Sequence, residues 1–150
     1  MVAISAESTP RMGARSKARK RAVDVLYAAA LRDADPVTLH AERTSEAEHP
    51  PPNDYATALI EGVVANRERI DELLTEHAEG WTLDRMPFVD LAVLRLGVYE
   101  LLWADDVPDA VAIDEAVQLA SSLSTDDSPR FVNGVLGRLA TIADQLRATR

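Results

Sequence analysis

Apolar residues along this chain recur every three and four positions instead of every two, in stretches rich in alanine, leucine, arginine and glutamate and poor in glycine. That spacing belongs to helices with one buried face, so the expected fold class is all-α. The pattern resolves into six helices. The first spans residues 14–32, with Ala18, Ala22, Val25, Leu26 and Ala29 as its inward stripe. Asp35 as N-cap and Pro36 at the first helical position open a second, 36–46, whose core stripe is thin. The third covers 54–79, with Ala58, Leu59, Val63, Asn66, Ile70, Leu73, Leu74 and His77 along one side; Gly62 permits a close crossing and Gly80 stops the helix. Residues 84–103 are apolar almost all round, from Phe88 to Trp103, which predicts a central position in the fold. The fifth helix covers 110–123. The last is capped by Asp127 or Ser128, has Pro129 at its first position, and repeats Val132, Val135, Leu136, Leu139, Ala143 and Leu146.

The firmest break is His49-Pro50-Pro51-Pro52-Asn53, because successive prolines offer no amide to a helix and restrict their neighbours. A subdomain boundary is expected at 49–53. Residues 1–13, with Ser, Thr, Pro and Gly, read as a flexible arm. The rest, 14–150, reads as one helical domain, and 150 residues bury roughly two-thirds of the unfolded surface without crosslinks.

The chain has no cysteine, which removes disulfides, thiolate metal sites and cysteine nucleophiles and suits a reducing cytoplasm. It has no run of about 18–20 apolar residues, so no membrane partner is expected, and its basic N-terminus lacks the apolar stretch of a signal peptide. Catalysis is not expected. His40, His49 and His77 are scattered without zinc-site spacing, and there is no phosphate-binding or nucleophile-elbow glycine motif. Asp105/Asp106, Asp114/Glu115 and Asp126/Asp127 are sequence neighbours whose side chains on a helix diverge by about 100°, so they read as solvated charges. Neither a cofactor nor a metal is predicted.

Charge changes the picture. The net charge is −9, yet residues 1–21 hold six bases (Arg11, Arg15, Lys17, Arg19, Lys20, Arg21) against Glu7 alone, leaving ten bases and 24 acids for the remainder. The two ends of such a dipole suit different partners. At 100° per residue, Lys17, Lys20, Asp24 and Tyr27 share the face of the first helix opposite its alanine stripe, with Arg21 bordering the stripe and Arg15 and Arg19 on the other flank. Cations beside a ring suit single-stranded nucleic acid, since charges neutralise phosphates and the ring stacks on a base. The alternative is a solvated face with Tyr27 covering a neighbouring helix.

A second surface lies at the start of the last helix. Val132, Val135 and Leu136 face inward, which leaves Phe131 on the flank near free backbone amides, suited either to a base or to closing the core edge. Asp126 and Asp127 oppose a phosphate there. Arg95, inside the most apolar helix, requires a carboxylate, with Glu115 or Glu61 as candidates. On the same helix Asp90, Val93, Gly97 and Glu100 share a narrow face that suits either a docked protein or a packed helix crossing.

Four segments in order, Arg-Lys-Arg-Ala-Val-Asp-Val-Leu-Tyr (19–27), Leu-Ala-Val-Leu-Arg-Leu-Gly-Val-Tyr-Glu-Leu (91–101), Val-Ala-Ile-Asp-Glu-Ala-Val-Gln-Leu-Ala (111–120) and Phe-Val-Asn-Gly-Val-Leu (131–136), resemble the NusB family of bacterial transcription antitermination factors. The resemblance covers roughly 14–148, and the Arg- and Ala-rich composition suits an actinobacterial member. It implies an all-helical fold of two three-helix subdomains. It also implies binding of the single-stranded boxA element of ribosomal RNA leader transcripts together with NusE, a small-subunit ribosomal protein, within an RNA polymerase antitermination complex. By that resemblance the RNA-contacting positions are Arg15, Lys17, Arg19, Lys20, Tyr27 and Phe131, and the NusE-facing positions are Asp90 and, by its shared face, Glu100. Two other readings stand beside it: a self-associating helical protein whose basic first helix meets acidic surface of a second copy as a homodimer, and the NusB-like domain of a ribosomal RNA methyltransferase. The second lacks a cofactor-binding domain within these 150 residues.

Overall fold

A computed structural model of the chain describes residues 13–46 and 54–150. These form α1 (Ala14–Arg32), α2 (Pro36–Glu46), α3 (Asp54–Ala65), α4 (Arg67–His77), a 3-10 turn (Leu83–Arg85), α5 (Phe88–Trp103), α6 (Asp109–Leu123), α7 (Ser128–Thr141) and α8 (Ala143–Ala148), with no strand among the described residues. The expected arm 1–13, apart from Gly13, and the whole of the proline segment 49–53 lie outside them, the latter within the stretch 47–53 between α2 and α3. The two helices flanking that segment pack on each other and on α1, so the first three helices form one group.

The inward stripe of α1 is buried as the periodicity requires: Ala18, Ala22, Val25, Leu26 and Ala29 all face the core. The helix ends at Asp33 in the left-handed region (φ 53°), where the amides of Asp33 and Ala34 close on the carbonyls of Ala30 and Ala29. Asp35 then caps α2, accepting from the Thr38 amide at 3.0 Å and the Thr38 hydroxyl at 2.7 Å.

Two expected helices are interrupted. The 54–79 helix breaks at Asn66, whose side-chain amide donates to the Gly62 carbonyl at 2.8 Å and whose backbone leaves helical geometry at φ −113°, ψ 16°. A short polar side chain here competes with the backbone ladder. Residues 84–103 divide at Pro87, which fixes the extended entry into α5 and confines Leu83–Arg85 to a single tight turn. The last helix bends at Ile142 into α8.

α5 is the axis of the fold. It touches α1, α3 and α4 on one side and α6, α7 and α8 on the other, and its residues from Asp90 to Leu94 are all buried. Phe88, at its first turn, is instead exposed. Two glycines set the closeness of the packing. A Cβ on Gly62 would run into the Tyr99 ring, and one on Gly97 would lie 2.7 Å from Leu136 Cδ1 and 3.4 Å from Ala116 Cβ. The Asp90–Val93–Gly97–Glu100 face is therefore internal: Asp90 meets the start of α7, Gly97 lies under α6 and α7, and Glu100 faces α1 and α3.

Candidate nucleic-acid interface

The first turn of α1 carries no acid, so its cations add to the partial positive charge of the free helix amides. Such a concentration is tolerated because acids on α5, α6 and the loop between them face it. Arg19, with its side chain 4% exposed, donates from Nε to both oxygens of Glu100 at 2.8 and 3.0 Å, and its Nη1 lies 3.1 Å from Glu115 Oε1. Glu100, 1% exposed, also accepts the Tyr55 hydroxyl, while Ser16 donates to Glu115 at 2.7 Å. Burial pulls the Arg19 pKa down, but the hydrogen bonds to Glu100 and the charges of Glu100 and Glu115 outweigh it and leave it raised. Burial, then the bond to Glu100 and its charge, raise the Tyr55 hydroxyl well above its ordinary value. The knot stays charged on Arg19 and neutral on Tyr55.

One turn earlier, Arg15 remains at the surface. Its side chain is 48% exposed, its Nη2 donates to Asp106 Oδ2 at 2.9 Å, and its guanidinium carbon lies 4.2 Å from the centre of the Tyr55 ring. Lys17 is exposed and has no ion-pair partner among the described residues. Lys20 meets Asp24 at 3.5 Å with both side chains half in water, an arrangement of little energetic weight. Tyr27 is half-buried with one part packed against the core, as the reading of a ring covering a neighbouring helix expects, and its remainder is open.

The start of α7 is built differently. Asp90 is fully buried and accepts the Ser128 hydroxyl at 3.0 and 2.8 Å and the Ser124 hydroxyl besides. These bonds fix the first turn of α7 to the first turn of α5. Phe131 then packs edge-on against Trp81, ring centres 5.0 Å apart at 63°. Trp81 is 41% exposed and follows Gly80, whose φ of +90° turns the chain. The two rings border a cleft of about 270 Å³ that Glu79, Asp90 and Asp127 also line. One wall is aromatic, and the acids exposed on the other are Glu79 and Asp127, since Asp90 is taken up by the two serines.

Three expected site residues are thus repositioned. Arg19 does not share the outward surface, because from its flank the long side chain reaches inward to Glu100, an acid that burial without a cation would make very costly. Glu100 and Asp90 do not form an open docking face either, since each is consumed by internal hydrogen bonds. Arg95 has a bidentate carboxylate partner, but it is Asp71 on α4 at 2.9 and 2.9 Å, not Glu115 or Glu61, because Glu115 lies against Arg19. Among the described residues no group of three His, Asp or Glu could hold a metal ion, and no helix is long and apolar enough to cross a membrane.

Comparison with known proteins fits this geometry. The sequence profile described as the NusB family matches residues 16–141. The chain belongs to the NusB family. Its relatives include the transcription antitermination protein NusB of Saccharopolyspora erythraea, 71% identical over 139 residues that cover 92% of this chain and 94% of that one, and the same protein of Salinispora arenicola, 56% identical with 88% and 98% covered. Among solved structures, NusB of T. maritima superposes with a TM-score of 0.78 at 34% identity, covering 91% of this chain and 97% of that one. A structure of the antitermination factors NusB and NusE in complex with double-stranded RNA gives a TM-score of 0.76 at 30% identity, covering 87% and 98%.

Within this NusB-family chain, sequence periodicity missed Tyr55, Trp81 and Asp106. Tyr55 opens α3 beside the proline segment and Asp106 sits in a loop, where periodicity assigns no face. Trp81 offered a weak signal: a large ring directly after a helix-stopping glycine has no helical face on which to be buried.

Proposed function

We propose that this chain is a non-catalytic transcription antitermination factor that binds the boxA element of ribosomal RNA leader transcripts together with NusE and joins the RNA polymerase antitermination complex in the cytoplasm. The observation that carries the reading is the likeness, over 87% of the chain, to a NusB solved with NusE and RNA, combined on this chain itself with outward cations and an aromatic pair of which Trp81 is exposed and Phe131 is half-buried against the core edge. Lys17, Lys20 and Arg15 neutralise backbone phosphates, and Tyr27 offers its open part to a base. Phe131, with Trp81 behind it, stacks a second base above the acceptor-lined cleft. Arg19, Glu100 and Asp90 act as positioning residues: they hold the starts of α1 and α7 and leave contact with RNA or NusE to their neighbours.

Few unpaired cations on an acidic body make RNA binding by the chain alone weak, with a salt slope of only about 0.7 per phosphate contacted, and NusE supplies the missing contacts. Binding of boxA RNA, a scrambled single strand and a duplex is measured with and without NusE. The reading expects boxA to be preferred and tightened by NusE. Equal affinity for all three RNAs in the presence of NusE would overturn it.

A further inference from the structure

Asp106 lies in the loop between α5 and α6 and points back to the first turn of α1, where its Oδ2 accepts from Arg15 Nη2 at 2.9 Å. The guanidinium is held from below as well, 4.2 Å from the centre of the Tyr55 ring. Tyr55 is itself immobilised by its bond to Glu100, which Arg19 grips from the other side. Arg15 therefore has one face on a fixed aromatic platform and one edge on an exposed carboxylate.

We propose that Asp106 stands in the free protein where an RNA phosphate stands in the complex, so that it preorganises Arg15 and competes with RNA for it. This rests on the RNA-binding reading above. Carboxylate and phosphate present the guanidinium with the same paired oxygen acceptors, and exchanging one for the other leaves the Tyr55 contact intact. The pair is suited to exchange because both partners are largely in water: the Asp106 side chain is 65% exposed, and such pairs are weakly held. The buried Arg19–Glu100 pair beneath it is not exchangeable. Hydrogen bonding to Arg15, and its charge, also hold the Asp106 carboxyl below its ordinary value, so it stays an acceptor at neutral pH.

The test is RNA binding by the full chain with NusE, over a range of salt, for wild type, Asp106→Asn, Arg15→Ala, the double variant, and Asp105→Asn as a control that removes the neighbouring charge, which faces Arg150 at 3.3 Å instead. Asp106→Asn is expected to tighten binding about two- to fivefold, the worth of an exposed ion pair. It is also expected to steepen the salt dependence by about 0.7, since Arg15 then releases a counterion instead of an internal carboxylate. The gain should vanish in the Arg15→Ala background, and Asp105→Asn should give less. Unchanged binding in Asp106→Asn, an equal gain in Asp105→Asn, or a gain that survives Arg15→Ala would overturn the competition while leaving RNA binding intact. Absence of RNA binding by wild type and all variants would overturn the reading on which it rests, and the competition with it.

Discussion

Two buried carboxylates on α5 hold the starts of two other helices by different chemistry. Glu100 grips α1 through a cation, Arg19, whereas Asp90 grips α7 through neutral hydroxyls, Ser124 and Ser128. Ten residues separate them, about 15 Å of helical rise. The difference sets what each helix start can offer. At α1 the internal acid consumes one arginine, and three cations remain outside, Arg15 and Lys20 in exposed ion pairs and Lys17 with no ion-pair partner among the described residues. At α7 the anchor consumes no cation, and the surface beside it keeps Glu79 and Asp127 together with two rings. Under the proposed reading, one start suits a phosphate backbone, while the other disfavours phosphates and suits bases.

The sharpest way to break that comparison is to remove each anchor. Glu100→Ala leaves Arg19 buried without its main partner and should destabilise the fold by about 3–5 kcal/mol. Arg15→Ala, one turn away, should cost no more than about 1 kcal/mol. Urea denaturation reads both, and a Glu100→Ala protein as stable as Arg15→Ala would mean that the inner pair contributes no more than the outer one. Asp90→Ala strands two hydroxyls but no cation, so a loss of about 1–3 kcal/mol is expected, smaller than that for Glu100. The reverse order would contradict the contrast between the anchors.

The smallest effect sharpens the reach of the basic face. Burial, with the charge of Arg21 on α1 added, lowers the pKa of His40 on α2, whose Nε2 lies 2.9 Å from the Thr57 hydroxyl. The folded state then binds a proton less readily than the unfolded chain, whose histidine titrates near 6.5. Stability associated with neutral His40 is complete above that pH and declines as pH falls below it. Thermal unfolding between pH 7.5 and 5.5 should show a steeper decline for wild type than for His40→Gln; parallel curves would remove His40 from the account.

Much of the fold was legible because it rests on local rules: the α1 stripe, the Asp35–Pro36 start of α2 and the buried run of α5 follow from periodicity and capping. The break at Asn66 was not, since it depends on a side chain choosing a carbonyl over solvent. In the site, the outward phase of Lys17 and Lys20 was readable, whereas the inward turn of Arg19 was not. Helix phase gives the direction of a Cβ, but an arginine reaches far enough to choose its partner, and the choice lay with Glu100, 81 positions away. Arg95 repeats the lesson with Asp71. Trp81 lay in a loop, where no periodicity speaks for a role.

The most direct test of the division between a charged start and an aromatic one is the salt dependence of RNA binding with NusE for wild type, Lys17→Ala/Lys20→Ala and Phe131→Ala, each checked for unchanged helical circular dichroism. The lysine pair should weaken binding and flatten the slope of log affinity against log salt by about 0.7, the one phosphate contact of Lys17, because Lys20 exchanges Asp24 for a phosphate and releases no counterion. Phe131→Ala should weaken binding by about 1–3 kcal/mol with the slope unchanged, because stacking releases no counterions. A flattened slope in Phe131→Ala, or an unchanged slope in the lysine variant, would contradict the account.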